Sequence, residues 1–163
     1  MGKRTGKRTG KKEKASRTPA EQIAEECIAV RLRALTRAVT RLYNRALRPY
    51  GLTVNQMNIL AAVSYIGQAR GQDVCRALHL EKSTLSRDLE RMRANGWIES
   101  LPGDDGRTSL LRVTPAGKKL LEKSAPAWRQ AQQEAEDLLG KEHSANLGRA
   151  AAAILPLPTK QAE

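Results

Sequence analysis

The chain has 163 residues and a formal net charge of +12. That length suits one domain with a proper core, and no apolar run approaches the roughly 20 residues that a membrane-spanning helix requires. With two cysteines, two histidines and neither a CxxC nor an HExxH spacing, the sequence supports no disulfide framework and no zinc-hydrolase centre.

The charge is unevenly placed. Eight basic side chains and one acidic one fall within residues 1–19, which is +7 of the total and leaves +5 for the rest. Residues 1–17 repeat Lys-Arg-Thr-Gly at 3–6 and 7–10 and show no apolar periodicity, so they are expected to form a disordered basic tail. The start carries no apolar signal-peptide segment, and the expected compartment is the cytoplasm. No cofactor is implied, and His79 and His143 have no evident nucleophile or metal partner, so no enzyme is expected.

Order is predicted to begin at Thr18, an N-cap followed by Pro19 in the first turn and by Glu21 to complete a capping box. One long helix should start there. Ile28, Leu32, Leu35, Val39, Leu42 and Ala46 give it a continuous apolar seam, with Arg33, Arg37, Arg41 and Arg48 away from it. A second capping box at Thr53 opens a helix that ends near Gly67 and turns Met57, Leu60, Ala61 and Ser64 to one side.

Residues 71–95 read as two helices broken at His79-Leu80-Glu81. The first points Val74, Ala77 and Leu78 inward. The second places Leu85, Leu89 and Met92 on one face, which leaves Ser83, Arg87, Glu90 and Arg91 opposite and Thr84 and Ser86 at the flanks. This is a helix-turn-helix pattern. Small hydroxyls and arginines on the outer side of the second helix suit base edges and phosphate oxygens. His79, at the break, suits a turn or backbone contact.

Strands over 97–102 and 108–114 follow, joined by a Gly/Asp-rich turn with Arg107 at its tip. A helix-turn-helix followed at once by such a hairpin offers a helix to the major groove and an extended cation to the minor groove. The chain then returns to helix at Thr114, with Pro126 expected to kink it. A last helix, roughly 142–154, carries Leu147, Ala150, Ala151, Ile154 and Leu155. These closing helices are expected to pack on each other, on the first helix or on a second subunit.

Asp105, Arg107, Leu111, Val113, Thr114 and Gly117 fit the wing pattern D-x-R-x-x-x-L-x-(L/V)-T-x-x-G, so the chain resembles the MarR family of winged helix-turn-helix regulators. The stretch "LEKSTLSRDLERMRANGWI" is similar to that family's recognition helix, and the likeness runs from about Glu25 to about Leu155. The resemblance implies a mainly α fold with a small β-wing. Residues 18–52 and 115–156 would form a helical dimerisation region, and 53–114 a winged DNA-binding module. It further implies a homodimer on a palindromic double-stranded DNA operator, with Ser83, Thr84, Ser86, Arg87 and Arg91 acting from the helix. Arg107 would act from the wing, oriented by Asp105, although a simple turn aspartate fits that position equally. Glu81 stands where the family usually has an aspartate N-cap, and Gly106 where a second basic residue is common.

Such proteins are often repressors released by small aromatic acids, and Arg31 is the first-helix cation best placed to meet a carboxylate, with Tyr43, Tyr50 and Met57 to wall a ring. An alternative signal is thiol oxidation at Cys27, expected in the first turns of the first helix, where the dipole favours a thiolate. Val54 and Met57 stand where peroxide-sensing members carry tyrosines. Another alternative is a non-specific architectural protein whose DNA affinity comes mainly from the tail.

Overall fold

A computed structural model describes residues 17–103 and 108–154 of the chain. The predicted tail up to residue 16, the wing tip at 104–107 with Asp105 and Arg107, and Leu155 lie outside the described residues. Two compact units are present, divided between Thr36 and Arg37.

In the N-terminal unit, helix α1 (Pro19–Glu26) starts as its sequence predicts. The Thr18 hydroxyl accepts from the Glu21 N–H, and the Glu21 carboxylate accepts from the Thr18 N–H at 2.7 Å. The Thr18 backbone bond and then its hydroxyl hold the Glu21 carboxyl below the ordinary carboxylate range. Arg17, the last residue of the predicted tail, pairs with Glu25 and Glu26, each at 3.1 Å.

The predicted single long helix is not continuous. Cys27 adopts an extended conformation (φ −66°, ψ 109°), and helix α2 (Ile28–Leu47) begins after it. No glycine or proline marks the break. Instead, the Arg31 guanidinium donates to the Glu25 carbonyl, one of the groups at the end of α1 that a continued helix would have used.

The C-terminal unit continues α2 from Arg37. A single 3₁₀ turn (Arg48–Tyr50) closes at Gly51, whose φ of 71° is the left-handed conformation that glycine adopts without strain. Helix α3 (Val54–Ile66) follows, with the predicted Thr53 capping box and an end at Gly67. Its buried face differs from the prediction. Met57 and Leu60 are buried, but Ala61 and Ser64 are exposed, while Ile59, Ala62, Val63 and Ile66 are also covered. The buried residues wrap more than half of this helix, and Asn55, Asn58, Ala61, Ser64 and Tyr65 meet solvent on the remainder.

Beyond α3 come strand β1 (Ala69–Arg70), helix α4 (Gly71–Leu78) and helix α5 (Lys82–Ala94). Strands β2 (Ile98–Pro102) and β3 (Ser109–Val113) form the expected hairpin, with Ile98 opposite Val113 and Ser100 opposite Leu111. The sheet has a third strand that the sequence pattern does not announce. β1 pairs antiparallel with β3 through Ala69 and Leu111, so β3 is central. Two residues are too few to display an alternation.

One core holds these elements together. Leu47, Ile59, Leu60, Val63, Val74, Leu85, Leu89, Met92, Ile98, Leu111 and Val113 all belong to it. Helix α6 (Pro115–Leu139) remains one helix through Pro126, and α7 (Lys141–Ile154) follows. A smaller cluster joins Tyr43 of α2 to Ala131 and Ala135 of α6, with Val39, Leu42 and Ala46 packed against it.

Gly117 controls how α6 meets the sheet. A Cβ there would stand 2.1 Å from the Trp97 carbonyl oxygen and 2.8 Å from the Val113 side chain, so the first turn of α6 can sit on the strands only without one. Gly117→Ala is expected to destabilise the fold by about 1–3 kcal/mol, in the range of overpacking a tight interior site. Urea unfolding against the unmodified chain measures this; an unchanged midpoint would mean that α6 shifts freely away from the sheet.

Candidate nucleic-acid interface

Helix α5 is fixed from within by Leu85, Leu89 and Met92, all buried in the main core. At 3.6 residues per turn, this anchoring directs Ser83, Arg87 and Glu90 outward in one row with Ser86 and Arg91 beside it, and all five are exposed. Thr84 is half-buried at the margin. The structure thus brings the predicted helix residues together on one open face. Arg87 is partly organised already, since its Nε donates to the Ser83 carbonyl at 3.2 Å.

Glu81 precedes α5 in the N-cap position but makes no side-chain cap bond. That agrees with its being a poorer cap than aspartate. Its backbone carbonyl accepts from Thr84 and Leu85 at 2.9 and 3.0 Å. The turn before it is set by His79, whose φ of 49° is left-handed and whose N–H donates to the Cys75 carbonyl, as expected for a residue with a backbone role.

A contact that positions α5 escapes the sequence pattern. Gln56 is 4% exposed and uses both ends of its amide. Its oxygen accepts from the Thr53 N–H at 3.1 Å, and its nitrogen donates to Asp88 on α5 at 3.4 Å. The capping box gives away the first bond. Nothing in the sequence gives away the second, because it joins residues 32 apart.

The wing is anchored at its base by Thr114. Its hydroxyl donates to the Gly96 carbonyl at 2.6 Å and accepts from the Gly117 N–H at 3.0 Å, while its own N–H donates to the Trp97 carbonyl at 3.1 Å. Along the hairpin, Arg112 pairs with Glu99 directly across the strands at 2.9 Å. Exposed and partly neutralised, that pair contributes little to stability.

The residues expected to line a small-molecule crevice are dispersed by role. Arg31 lies in the N-terminal unit, exposed and bonded to the Glu25 carbonyl. Met57 is core and receives the Ser124 hydroxyl at 3.5 Å on its sulfur. Tyr50 packs half-buried against that same core, whereas Tyr43 belongs to the second cluster and donates its hydroxyl to Gln132. Cys27 is a half-buried free thiol at the joint between α1 and α2 rather than within the first turns of one long helix. Among the described residues, no group of histidine, cysteine and carboxylate side chains could hold a metal, and no helix is long and apolar enough to cross a membrane.

Residues 50–108, which contain α3 to β2, match the pattern defining the MarR family. The multiple antibiotic resistance protein MarR of Salmonella typhimurium is 32% identical over 82 residues, 50% of this chain and 57% of the relative. The chain therefore spans little more than half the length of the curated relatives it matches. Among solved structures, the Mycobacterium tuberculosis transcriptional regulator MosR in complex with DNA is 34% identical, with 79% of this chain and 98% of that chain covered and a TM-score of 0.65. BpsR of Bordetella bronchiseptica, whose DNA binding is regulated by 6-hydroxynicotinic acid, shares the fold at 20% identity, with 78% and 97% covered and a TM-score of 0.70.

Burial, with a smaller contribution from Glu136, raises the Tyr43 phenol above its ordinary value. The folded state therefore holds this proton more tightly than the unfolded state. The resulting stability is complete below the ordinary tyrosine pKa of about 10 and is lost as pH rises from there through the raised folded value. Thermal melts across that window should fall less steeply for Tyr43→Phe than for the unmodified chain. At neutral pH the same variant should lose about 0.5–1.5 kcal/mol for the missing bond to Gln132. Parallel pH profiles would show that Tyr43 does not carry the alkaline loss.

Proposed function

This chain belongs to the MarR family of winged helix-turn-helix transcriptional regulators, and on that premise we propose that it reads a palindromic operator in double-stranded DNA as a homodimer and represses transcription. The observation that carries the reading is the outer face of α5, where Ser83, Ser86, Arg87 and Arg91 stand together and open to solvent on a helix pinned by its opposite side. Thr84 adds a hydroxyl at the edge. Arg107, oriented by Asp105, would enter the minor groove from the wing tip. MosR, 34% identical, has been solved in complex with DNA, which supports the same ligand class here.

The dimer is proposed from uncovered apolar surface. Ile23, Ile28, Val30, Leu32 and Leu35 are 42–71% exposed in the N-terminal unit, and Leu138, Leu147 and Ile154 are 46–72% exposed on α6 and α7. Isologous pairing of two copies is the commonest way to bury such surface. Residues 18–52 and 115–156 would then form the dimerisation region and 53–114 the module that each subunit presents to one half-site.

For the signal, a small aromatic or heteroaromatic acid is the proposed effector. The regulation of BpsR by 6-hydroxynicotinic acid supports that class. Arg31 would meet the carboxylate, leaving its bond to the Glu25 carbonyl, and Tyr43, Tyr50 and Met57 would meet the ring. Such a ligand releases DNA only by binding the non-operator conformation more tightly. A second reading is favoured by the position of Cys27, a free thiol at the one extended residue between two helices, where oxidation would alter the joint.

Two measurements test these proposals. Arg87→Ala should weaken operator binding by about 1–3 kcal/mol relative to random duplex, as for removal of a bidentate bond to a base. Equal losses on both would reduce Arg87 to a phosphate contact, and an unmodified chain with no operator preference would point to architectural DNA coating. In operator-release titrations with aromatic acids, Arg31→Ala should keep operator binding yet need far more ligand, and Cys27→Ser should behave as the unmodified chain. A peroxide-driven release that Cys27→Ser abolishes would establish the redox reading instead.

A further inference from the structure

Helix α2 carries five arginines, no lysine and no acidic residue. Within the C-terminal unit, Arg45 is engaged with Glu134 at 2.7 Å. Arg37 and Arg41, and Arg48 in the turn that follows, are different. All three are exposed, and none makes an ion pair or side-chain hydrogen bond among the described residues.

Arg37 and Arg41, four residues apart, lie on one side of α2, and Arg48 stands in the 3₁₀ turn that continues from it. Val39, Leu42 and Ala46 occupy the opposite side and pack against Tyr43, Ala131 and Ala135. The apolar side thus faces α6, and the arginines face away from it. Like charges at i and i+4 destabilise an isolated helix slightly, and no carboxylate on α2 relieves them. Arg37 and Arg41 are about 6 Å apart along the helix axis, and Arg48 follows in the turn beyond its end.

A guanidinium fork matches phosphate oxygens in pairs, which an ammonium does not. Duplex DNA offers a linear array of such groups at about one charge per 1.7 Å of axis. We propose that Arg37, Arg41 and Arg48 form a second docking surface for DNA, one that grips the phosphate backbone without reading sequence and is separate from the base-reading face of α5. The inference rests on the reading of the chain as a DNA-binding protein. Its consequence is a footprint larger than the bases the protein reads, with added affinity that salt removes.

The test uses the full chain with the double variants Arg37→Gln/Arg41→Gln and Arg37→Lys/Arg41→Lys, measured on operator and on a long random-sequence duplex over a salt series. For the glutamine pair, the log-log slope of affinity against salt should fall by up to about 0.9 for each phosphate no longer neutralised, equally on both duplexes, while operator preference stays intact. The lysine pair should keep most of the slope, because it keeps the charge. Melting temperature should hold or rise in the glutamine pair, since a like-charge repulsion is removed. An unchanged slope in a chain that binds DNA overturns the inference, as does loss of binding to anionic phospholipid vesicles with DNA binding unchanged. If the unmodified chain binds no duplex at all, the DNA-binding reading itself has failed.

Discussion

The structure turns on the close approach of α6 to the sheet at Gly117, where a backbone with no side chain lies against the Trp97 carbonyl. Thr114 makes this approach possible by satisfying three backbone groups at once: those of Gly96, Trp97 and Gly117. Backbone groups need partners where strand becomes helix, and here a single threonine supplies them. The base of the wing, the start of α6 and the end of α5 are thereby held in one arrangement. Leu120 and Leu121, one turn further along α6, are packed against the core that also holds α5. The proposed reading by helix α5 depends on its inner face being anchored in the same core.

Much of this is legible in the sequence, and the legible parts share a cause. Thr18, Thr53 and Thr114 each announce a helix because N-capping is local, involving groups three residues apart. Leu85, Leu89 and Met92 reveal the inner face of α5 because helical periodicity is local as well. The β2–β3 hairpin follows from the alternation that ends in Leu111 and Val113.

What stays hidden depends on residues distant in sequence or on atoms that a pattern does not show. The break at Cys27 has no glycine or proline, and the bond from Arg31 to the end of the preceding helix has no signature in the sequence. Strand β1 exists through its pairing with β3, not through its own two residues. The buried face of α3 is misjudged from sequence because a helix enclosed on most sides has no single apolar stripe to find. Gln56 displays one bond as a capping residue and conceals the other, to Asp88. Candidate DNA-reading residues are easier to locate than candidate effector residues. An exposed row on one helix is a matter of periodicity, whereas a crevice requires the placement of several elements.

The small strand β1 limits how such a protein can move. It leads directly into α4 and is hydrogen-bonded to β3, so the entrance to the helix-turn-helix is tied to the centre of the wing sheet. Bending the wing away from α4 and α5 would break that pairing and expose Ala69 and Leu111, both buried. A flapping wing is therefore a costly motion. In the proposed homodimer, an effector would have to carry helix-turn-helix and wing together as one body, and alter the separation between two such bodies rather than the shape of either.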